Sequence, residues 1–422
     1  MTSIVDQACI LVGGKGTRLG NLTQDTPKPL LEITENVRFI DIIIDQISRQ
    51  GFKDILLLAG HLGSTVHERY HRRTVRSSSV SVIIEPEPRG TGGALRAVRD
   101  RLAPRFVLLN GDSFFDINVR SLASEPCEHE ALIALAEVSD STRYGSVELR
   151  GDQIRAFREK NAGIVGPALI NAGIYILRAS IVERMDSFPC SLENDLFPAM
   201  AAEGKLCGVV RSGYFIDIGV PDSLRRAREE LPGVYTRPAA FVDRDGVLNA
   251  DDGYVYRHDQ IKWIPGAPET VRLLNDRGYR VVVVTNQAGV AHGYYQESDV
   301  KSLHSWMQEE LGKWGAFIDA FYYCPFHPNA KVQEYRADHP DRKPGCGLIL
   351  KALSDLNIRK SGSFLIGDKD IDIIAAEKAG IAGFLFPGGN LAEFAVQCID
   401  KFKAGAFCGA WSNSHPKKRA PV

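Results

Sequence analysis

Two loops rich in glycine and charge, each placed directly after a short apolar run, constrain the fold of this chain more than any other feature. The first is "LVGGKGTRLG", which begins at Leu11, and the second is "FVDRDGVLN", which runs from Phe241 to Asn249. In α/β proteins such a loop follows a strand and lies at the edge of the sheet where ligands bind. Two such loops are more than one domain needs, and a length of 422 residues also favours two domains.

Apolar runs alternate with helix-like stretches on both sides of a break near residue 235. Before the break, predicted strands include "ACILVGG", "DILLLAG", "RFVLLNGD" and "AGIYIL", and predicted helices include "FIDIIIDQISRQG" and "TGGALRAVRDRLA". After it, "AAFVDRDG", "YRVVVVTNQ" and "SFLIGDKD" restart the pattern. The alternation predicts a mostly parallel sheet with helices on its faces, followed by a second α/β unit.

The domain organisation follows from the same break. Residues 1–232 and 239–405 are predicted to be domains, joined by a linker at 233–238. The linker lies in "REELPGVYTRPAA", which contains two prolines and a glycine. Residues 406–422, which include the polar stretch "WSNSHPKKRAPV", are predicted to form a flexible tail.

The charge and the cysteines of the chain argue against several classes of protein. A formal net charge of −1 disfavours nucleic-acid-binding and membrane-surface proteins, because both usually carry an excess of basic residues. No apolar stretch approaches the roughly 18 residues of a membrane span, and the first residues lack the basic region of a signal peptide. The eight cysteines form no C-x-x-C pair, which favours reduced thiols in a cytoplasm over a disulfide framework.

The first glycine-rich loop is a candidate phosphate-binding site. Gly13, Gly14 and Gly16 would let backbone N–H groups approach a phosphate, and Arg18 and Lys28 would add positive charge. A glycine-rich turn is as often only a tight turn. The loop lacks the lysine-Ser/Thr pair of a Walker A motif and the spacing of a dinucleotide fingerprint.

Two aspartates and a second glycine-rich turn strengthen the phosphate-binding interpretation. Asp112 follows "LLNG" and Asp217 follows "YFI", so each is expected at a strand end, where the pair can hold magnesium against a triphosphate. The second turn, "GTGGAL", contains Gly92 and Gly93 and is predicted to open a helix. Taken alone, each aspartate is more often the cap of a turn or a helix.

Together these motifs resemble the sugar-phosphate nucleotidyltransferases over roughly residues 7 to 230. "GGKGTRL", "PKPL", "GTGGAL", "NGD", "REK", "NAGIY", "SLENDLFP" and "DIGVPDSL" occur in the order of that family. The resemblance implies a Rossmann-like three-layer αβα fold and attack of a sugar 1-phosphate on the α-phosphorus of a nucleotide, which releases pyrophosphate. It implies magnesium at Asp112 and Asp217 and catalytic charges on Arg18 and Lys28. It also implies substrate contacts from Gly13, Gly14, Gly16, Thr17, Gly92, Gly93, Glu159, Lys160, Asn171 and Glu193.

The second loop carries two carboxylates, Asp243 and Asp245, directly after an apolar run. One such carboxylate can attack a phosphorus atom while the other shuttles the proton, and magnesium would offset the negative charges. Thr285, Lys343 and Asp368 follow downstream, the threonine and the aspartate each at the end of a predicted strand. A D-x-D pair by itself is more often two solvated turn residues.

This series of residues resembles the haloacid dehalogenase superfamily of phosphatases over roughly residues 239 to 395. The resemblance implies a second three-layer αβα domain, an aspartyl phosphate at Asp243, acid-base catalysis by Asp245, and magnesium at Asp243, Asp245 and Asp368. "DRDGVLN", "VVTNQAGVAHG", "YYCPFHP", "RKPG" and "GDKD" further resemble the branch of heptose bisphosphate and histidinol phosphatases. Substrate contacts are implied for Asp251, Asp252, Gly253, Tyr254, Thr285, Asn286, Gln287, Arg342, Lys343 and Lys369.

Many members of that branch hold a structural zinc, and this chain departs from their ligand pattern. Cys324 is kept, but Phe326 stands at the histidine position, and His339 and Asp341 stand at the two cysteine positions. Because a phenylalanine cannot bind zinc, a loop without zinc is expected. The open alternative is a rearranged zinc site that adds His327 to Cys324, His339 and Asp341.

The two resemblances together imply consecutive steps of one pathway. A heptose 1,7-bisphosphate 7-phosphatase releases heptose 1-phosphate, which a heptose 1-phosphate nucleotidyltransferase consumes. The sequence therefore predicts a cytoplasmic bifunctional enzyme that makes a nucleotide-activated heptose for a bacterial surface glycan, with GTP as the expected nucleotide. Its expected partners are small molecules and neither nucleic acid nor membrane, and a homo-oligomer is left open.

The sequence leaves two alternative functions open. One joins a mannose or glucose 1-phosphate nucleotidyltransferase to a histidinol-phosphatase-like phosphatase of separate role. The other makes one half an inactive regulatory or binding module, although the acidic residues of both halves are intact.

Overall fold

The computed structural model describes residues 4–139, 144–158, 166–185 and 188–403, so the predicted tail at 406–422 lies outside the described residues. The chain divides into two compact units. The first consists of Met1–Arg237, Asn275–Gly278 and Trp306–Asp319, and the second of Pro238–Leu274, Tyr279–Ser305 and Ala320–Val422. Within the described ranges, no helix is long and apolar enough to cross a membrane.

Strands and helices alternate along the first part of the chain, as the apolar runs predict. The strands are β1 (Gln7–Leu11), β2 (Glu32–Thr34), β3 (Val37–Arg38), β4 (Asp54–Ala59), β5 (Arg73–Val75), β6 (Ser78–Ile84), β7 (Arg105–Asn110), β8 (Ser113–Phe115), β9 (Ala131–Val138), β10 (Ser146–Arg150), β11 (Gln153–Arg158), β12 (Ala168–Arg178), β13 (Leu206–Arg211) and β14 (Phe215–Asp217). The α-helices are α1 (Phe39–Arg49), α2 (Gly63–Tyr70), α3 (Gly90–Arg96), α4 (Val119–Ser124), α5 (Phe197–Ala202) and α6 (Pro221–Tyr235).

Ten of these strands form one sheet in the order β10-β11-β13-β9-β12-β7-β1-β4-β6-β5. Strands β7, β1, β4 and β6 are parallel, as predicted. Strand β12 is antiparallel to both of its neighbours, β7 and β9. Strand β11 is antiparallel to β10 and β13, and the edge strand β5 is antiparallel to β6. The sheet is therefore mixed rather than mostly parallel. The apolar runs identify strands but contain no information on their direction, which explains the difference.

Helices cover both faces of this sheet. In β1, Ala8 and Ile10 belong to one buried apolar cluster and Cys9 belongs to another, because successive side chains of a strand point to opposite faces. Phe39 of α1 packs in the first cluster and Phe197 of α5 packs in the second. The result is the predicted three-layer αβα arrangement.

Helix α6 extends into the segment predicted as the linker. It contains Pro232 and ends at Tyr235, so residues 233–235 are helical and only 236–238 separate α6 from the next strand. Leu224, Ala227 and Leu231 are buried along one side of this helix. Burial of that apolar side outweighs the helix-breaking tendency of the proline.

The chain after residue 237 forms a five-stranded parallel sheet. Its strands are β15 (Ala239–Val242), β16 (Arg280–Asn286), β17 (Ala320–Cys324), β18 (Phe364–Gly367) and β19 (Ala382–Leu385), in the order β17-β16-β15-β18-β19. The α-helices are α7 (Ala267–Asp276), α8 (Ala288–Ala291), α9 (Glu297–Gly312), α10 (Gly347–Asp355), α11 (Asp370–Ala379) and α12 (Leu391–Lys403). Asp243 follows β15 and Asp368 follows β18, so both lie at the edge where parallel sheets bind ligands.

Candidate active sites

A cavity of about 540 Å³ adjoins the first glycine-rich loop. Its lining includes Gly13, Gly14, Asp112 and Glu193. Gly13 lies where two backbone segments approach closely, because a Cβ atom built on it would lie 3.1 Å from the backbone nitrogen of Gly60. The cavity therefore has a glycine-lined wall at the carboxyl end of β1, which suits a phosphorylated ligand.

The loop continues through Gly16 into a short 3₁₀ helix that begins at Thr17. Gly16 has a φ of 64°, a left-handed conformation that glycine adopts without strain. Thr17 and Arg18 are exposed. A Cβ atom built on Gly219 would lie 3.5 Å from both Nη2 of Arg18 and Nζ of Lys28, so these two positive charges converge.

Lys28 and Asp112 form a close ion pair beside the cavity. Nζ of Lys28 lies 2.6 Å from Oδ2 of Asp112, with the lysine buried and the aspartate side chain 41% exposed. The pairing of β8 with β14 places Asp217 opposite Ser113, the residue next to Asp112. Oδ2 of Asp217 accepts a hydrogen bond from the hydroxyl of Tyr144. The two predicted strand-end aspartates therefore lie on neighbouring segments.

A hydrogen-bonded network connects two residues predicted to face the sugar phosphate. Nδ2 of Asn171 donates to the hydroxyl of Tyr175 at 3.1 Å, and this hydroxyl donates to Oε1 of Glu193 at 3.2 Å. Oγ1 of Thr91 donates to Oε2 of Glu193 at 3.0 Å. Burial, and then the Glu193 carboxylate, raises the pKa of Tyr175 well above its usual value, so the hydroxyl stays a donor. Sequence reasoning missed Tyr175 and Thr91, although both lie inside the motifs "NAGIY" and "GTGGAL".

The other predicted contacts of this half are placed less directly. Gly92 and Gly93 are buried in α3, whereas the cavity lining in the described residues includes Gly90 and Thr91 of the same turn. A Cβ atom on Gly92 would lie 3.0 Å from Sγ of Cys190, so Gly92 allows close packing between α3 and the segment that contains Cys190. Glu159 and Lys160 lie outside the described residues.

Three aspartates and one lysine meet at the carboxyl edge of the five-stranded sheet. Nζ of Lys343 lies 2.8 Å from Oδ2 of Asp243 and 2.6 Å from Oδ1 of Asp372. It also donates to the backbone oxygen of Val284 at 2.9 Å, which fixes its direction. One carboxylate oxygen from each of Asp243, Asp368 and Asp372 lies within 4.8 Å of the other two.

Burial and mutual repulsion perturb the acidity of this cluster. Burial raises the pKa of Asp243 to about 7, Lys343 opposes that increase, and Asp372 adds to it. Burial also raises the pKa of Asp368. Burial alone would lower the pKa of Lys343, but the two adjacent carboxylates raise it above its usual value. One lysine thus faces three carboxylates, and a bound cation would neutralise the excess negative charge.

The donor set of this cluster fits a divalent cation. Oδ1 of Asp368 is buried and has no hydrogen-bond partner among the described residues, and carboxylate oxygens are the ligands that Mg²⁺ prefers. Gly246 leaves the necessary room, because a Cβ atom on it would lie 2.2 Å from Oδ2 of Asp368. Sequence reasoning missed Asp372, which lies four residues after Asp368 in the acidic stretch "GDKDID".

Asp245 lies in a separate set of hydrogen bonds. Nε and Nη2 of Arg244 donate to its two carboxylate oxygens at 3.1 and 2.9 Å. Asn249 and Gln287 add side-chain donors at 2.9 and 3.0 Å, and Gln287 also donates to Oγ1 of Thr285 at 2.9 Å. Among the described residues, Asp243, Asp368 and Asp372 have carboxylates close enough to share a cation. The side chain of Asp245 does not belong to this group.

The predicted substrate loop begins at Asp251. Oδ2 of Asp251 lies 2.8 Å from Nζ of Lys369, which follows Asp368. Asp252 is exposed, and Gly253 has a φ of 95°. Tyr254 is 46% exposed. This contact places the start of the loop beside the end of β18, with its polar and aromatic side chains accessible.

Arg342 and Lys343, both predicted to contact the substrate, belong to a segment that is held by contacts with backbone atoms. Oδ1 of Asn286 accepts from the Lys343 backbone nitrogen at 3.0 Å, and Nδ2 of Asn286 donates to the Lys343 backbone oxygen at 3.1 Å. Nη1 of Arg342 donates to the backbone oxygen of Phe326 at 3.4 Å. The carboxyl end of β16 therefore fixes the segment that carries both cations.

The residues at the zinc-ligand positions make contacts that need no metal. The ring of Phe326 stacks on that of His339, with centroids 4.3 Å apart and planes 7° from parallel. Nδ1 of His339 accepts from the backbone nitrogen of Asp341 at 3.2 Å, and Cys324 is buried. Nδ1 of His327 accepts from a backbone nitrogen two residues along. The absence of zinc stays a prediction, and these contacts offer a physical basis for it.

We expect chain purified without added metal to contain far less than one zinc per chain. Its melting temperature should not change with a zinc-selective chelator, because the Phe326–His339 stack holds the loop. Elemental analysis and thermal denaturation measure the two quantities. Stoichiometric zinc whose removal lowers the melting temperature would instead favour the set Cys324, His327, His339 and Asp341.

Comparison with known proteins relates both halves of the chain to families. Residues 7–232 match the nucleotidyl transferase family, and residues 341–397 match the HAD-hydrolase-like family. A D-glycero-beta-D-manno-heptose-1,7-bisphosphate 7-phosphatase from Rhodopseudomonas palustris is 43% identical over 170 residues, which cover 40% of this chain and 94% of that protein. A D-glycero-alpha-D-manno-heptose-1,7-bisphosphate 7-phosphatase from Burkholderia mallei is 42% identical over 143 residues, which cover 34% and 76%.

A solved structure was also found for the first half. HddC from Yersinia pseudotuberculosis is 31% identical, with a TM-score of 0.49, and the match covers 53% of this chain and 99% of HddC. The match to the nucleotidyl transferase family spans more than half of the chain, and nearly all of the Rhodopseudomonas palustris protein is covered. The chain therefore belongs to the nucleotidyl transferase family, and its second half is a HAD-type phosphatase related to the heptose-1,7-bisphosphate 7-phosphatases.

Proposed function

We propose that this chain catalyses two consecutive steps in the synthesis of a nucleotide-activated heptose. The phosphatase half removes the 7-phosphate of D-glycero-D-manno-heptose 1,7-bisphosphate. The nucleotidyltransferase half then transfers GMP from GTP to the heptose 1-phosphate and releases pyrophosphate. One observation carries the proposal: relatives of the second half are named for removal of the 7-phosphate, and what remains is a sugar 1-phosphate, the substrate class that the motifs of the first half imply.

In the phosphatase half, Asp243 is the proposed nucleophile. Its carboxylate attacks the 7-phosphorus, an aspartyl phosphate forms, and the bond between phosphorus and the sugar oxygen breaks. That oxygen takes a proton from Asp245 and leaves as the sugar hydroxyl. Asp245 then takes a proton from the water that hydrolyses the aspartyl phosphate. Lys343, 2.8 Å from Asp243, and Thr285 hold the phosphoryl oxygens.

Metal and substrate contacts complete the phosphatase assignment. Mg²⁺ bound by Asp243, Asp368 and Asp372 would supply positive charge against the phosphoryl group. The resemblance also implies metal binding by the side chain of Asp245, but we assign this side chain to proton transfer because its contacts lie elsewhere. The remaining assignments to substrate binding are Asp251, Asp252, Gly253, Tyr254, Asn286, Gln287, Arg342 and Lys369.

The nucleotidyltransferase half is proposed to act through alignment and charge, because the reaction needs no protein nucleophile. Arg18 and Lys28 would neutralise the triphosphate, and Asp112 and Asp217 would hold Mg²⁺. The carboxylates suit that role because they lie on neighbouring segments and Asp112 is partly exposed. Gly13, Gly14, Gly16 and Thr17 would line the nucleotide site, with Gly92 and Gly93 packing beneath it. Glu159, Lys160, Asn171 and Glu193 would contact the sugar phosphate.

Domain boundaries and location are part of the same proposal. We assign residues 1–232 to the nucleotidyltransferase domain, whose last helix, α6, continues to Tyr235, and residues 239–405 to the phosphatase domain. A cytoplasmic location is supported by the cysteines, because each cysteine in the described ranges is a free thiol.

The alternative, a mannose or glucose 1-phosphate nucleotidyltransferase beside an unrelated phosphatase, is tested with a substrate panel. The purified chain is given both anomers of heptose 1-phosphate, mannose 1-phosphate or glucose 1-phosphate, each with one of the four NTPs and Mg²⁺. We expect the highest kcat/KM for one heptose anomer with GTP, measured by pyrophosphate release and mass spectrometry. A preference for mannose 1-phosphate would contradict the heptose assignment and leave nucleotidyl transfer standing.

A further inference from the structure

We propose that Arg244, the middle residue of the D-x-D loop, is a positioning residue that fixes the carboxylate of Asp245 for proton transfer. This inference rests on the proposed role of Asp245 as acid and base in the phosphatase half. It assigns a function to a side chain that touches neither the nucleophile's carboxylate nor, in the proposed mechanism, the substrate.

The contact between the two side chains is a two-point ion pair. The guanidinium donates through Nε to Oδ1 of Asp245 at 3.1 Å and through Nη2 to Oδ2 at 2.9 Å. Such a planar fork fixes both the position and the plane of a carboxylate, which a single ammonium group cannot do. The Arg244 side chain is fully buried, whereas that of Asp245 is 17% exposed. The ion pair therefore holds Asp245 from inside while part of the carboxylate stays accessible.

Arg244 is itself held by contacts on its other side. Nη2 donates to the backbone oxygen of Val255 at 2.7 Å, and Nη1 lies 3.3 Å from Nε2 of His304. The His304 ring stacks on that of Phe321 with centroids 4.4 Å apart. Burial, and then the Arg244 charge, lowers the pKa of His304 to about 3, so its ring is neutral and can accept from the guanidinium. The guanidinium of Arg244 is therefore held in place by packed groups.

The remaining donors to Asp245 differ from Arg244 in charge. Asn249 and Gln287 are neutral amides that donate at 2.9 and 3.0 Å. With the guanidinium they fill the four acceptor positions of the carboxylate. A neutral amide is readily exchanged for a leaving oxygen or a water molecule, whereas the charged fork is the stronger contact. Exchange at the amide side would let Asp245 transfer a proton without losing its orientation.

A purely structural role explains the arrangement poorly. Burial of an ion pair carries a desolvation penalty that often equals its attraction, and well-packed apolar residues in place of both partners would often be as stable or more stable. What an apolar residue cannot do is orient a carboxylate. The buried arginine is therefore accounted for by the proton transfer that it prepares.

The test uses a series of aryl phosphates whose leaving phenols differ in acidity, with the full-length chain and Mg²⁺. For each ester, kcat/KM reports the steps up to release of the phenol, and poor leaving groups need the acid most. The wild type should depend weakly on leaving-group acidity. Arg244→Lys keeps the charge and loses the fork, so kcat/KM should fall at least roughly tenfold more for the poorest than for the best leaving group, in the direction of Asp245→Asn.

Two further variants keep the result decisive. His304→Phe retains the aromatic stack and removes the nitrogen that faces Arg244, so it should shift the dependence in the same direction by a smaller amount, even if Arg244→Lys does not fold. The exposed Arg257→Lys is the matched control and should behave as wild type. If Asp245→Asn shows no increased dependence, the acid role in the proposed function is wrong. If Asp245→Asn shows it while folded Arg244→Lys and His304→Phe both match wild type, the positioning role of Arg244 is overturned.

Discussion

The Asp243→Asn variant should lose phosphatase activity by roughly a thousandfold or more, because a neutral amide cannot form the aspartyl phosphate. The substitution keeps the shape of the side chain, and Asp368, Asp372 and Lys343 remain in place. Nucleotidyl transfer should stay near the wild-type rate, since the residues proposed for it precede residue 218. Release of inorganic phosphate from the bisphosphate and of pyrophosphate from heptose 1-phosphate with GTP measures the two activities in one preparation.

A matched substitution separates loss of the nucleophile from loss of an aspartate in general. Asp259 is exposed and pairs with Arg257 two residues away, so Asp259→Asn should retain both activities. Asp243→Asn that still hydrolyses the bisphosphate at near the wild-type rate would show that Asp243 is not the nucleophile. Loss of both activities in Asp243→Asn alone would contradict the assignment of separate sites to the two reactions.

The Asp112→Asn variant should lower nucleotidyl transfer by roughly a hundredfold or more, because metal-held charge is lost where the transition state needs it. The variant also weakens the contact with Lys28, whose Nζ lies 2.6 Å from the carboxylate. The fold should survive, since the Asp112 side chain is 41% exposed. Pyrophosphate release and the melting temperature measure the two effects, and the phosphatase should be unchanged.

The exposed Asp100 serves as the control for this second variant. Its side chain is 90% exposed, so Asp100→Asn should transfer nucleotide as wild type does. Full activity of Asp112→Asn at saturating Mg²⁺ and substrate would remove Asp112 from the catalytic assignment. The Lys28–Asp112 contact would then be a structural ion pair.

The site residues that follow the ends of strands could be predicted from the sequence. Asp243 and Asp368 each follow a buried apolar run, and neighbouring parallel strands bring such positions to one edge of a sheet. Both belong to the three-aspartate cluster. Asp372 belongs to the same cluster but lies inside α11, where its approach to Lys343 depends on how that helix packs. An acidic side chain in a helix has no such signal in the sequence.

Contacts between distant segments explain most of the rest. Thr91 and Glu193 are 102 residues apart in the chain and meet only in the folded domain. Arg244 lies between Asp243 and Asp245 in the sequence, but the spacing of residues in the sequence does not predict its buried contact with His304. Local pattern also does not predict that β12 is antiparallel to both of its neighbours inside the large sheet, or that α6 continues through Pro232. In each case tertiary packing decided what local pattern left open.

Mass spectrometry of the products formed from heptose 1,7-bisphosphate tests the central claim most directly. The wild-type chain alone, with Mg²⁺ and an equal mixture of the four NTPs, should convert the bisphosphate to GDP-heptose with release of one phosphate and one pyrophosphate per molecule. Asp243→Asn should form no product lacking the 7-phosphate until an independent phosphatase is added. The contradicting result is wild-type chain that leaves the bisphosphate untouched while it hydrolyses another phosphate ester well, because the two active sites would then share no intermediate.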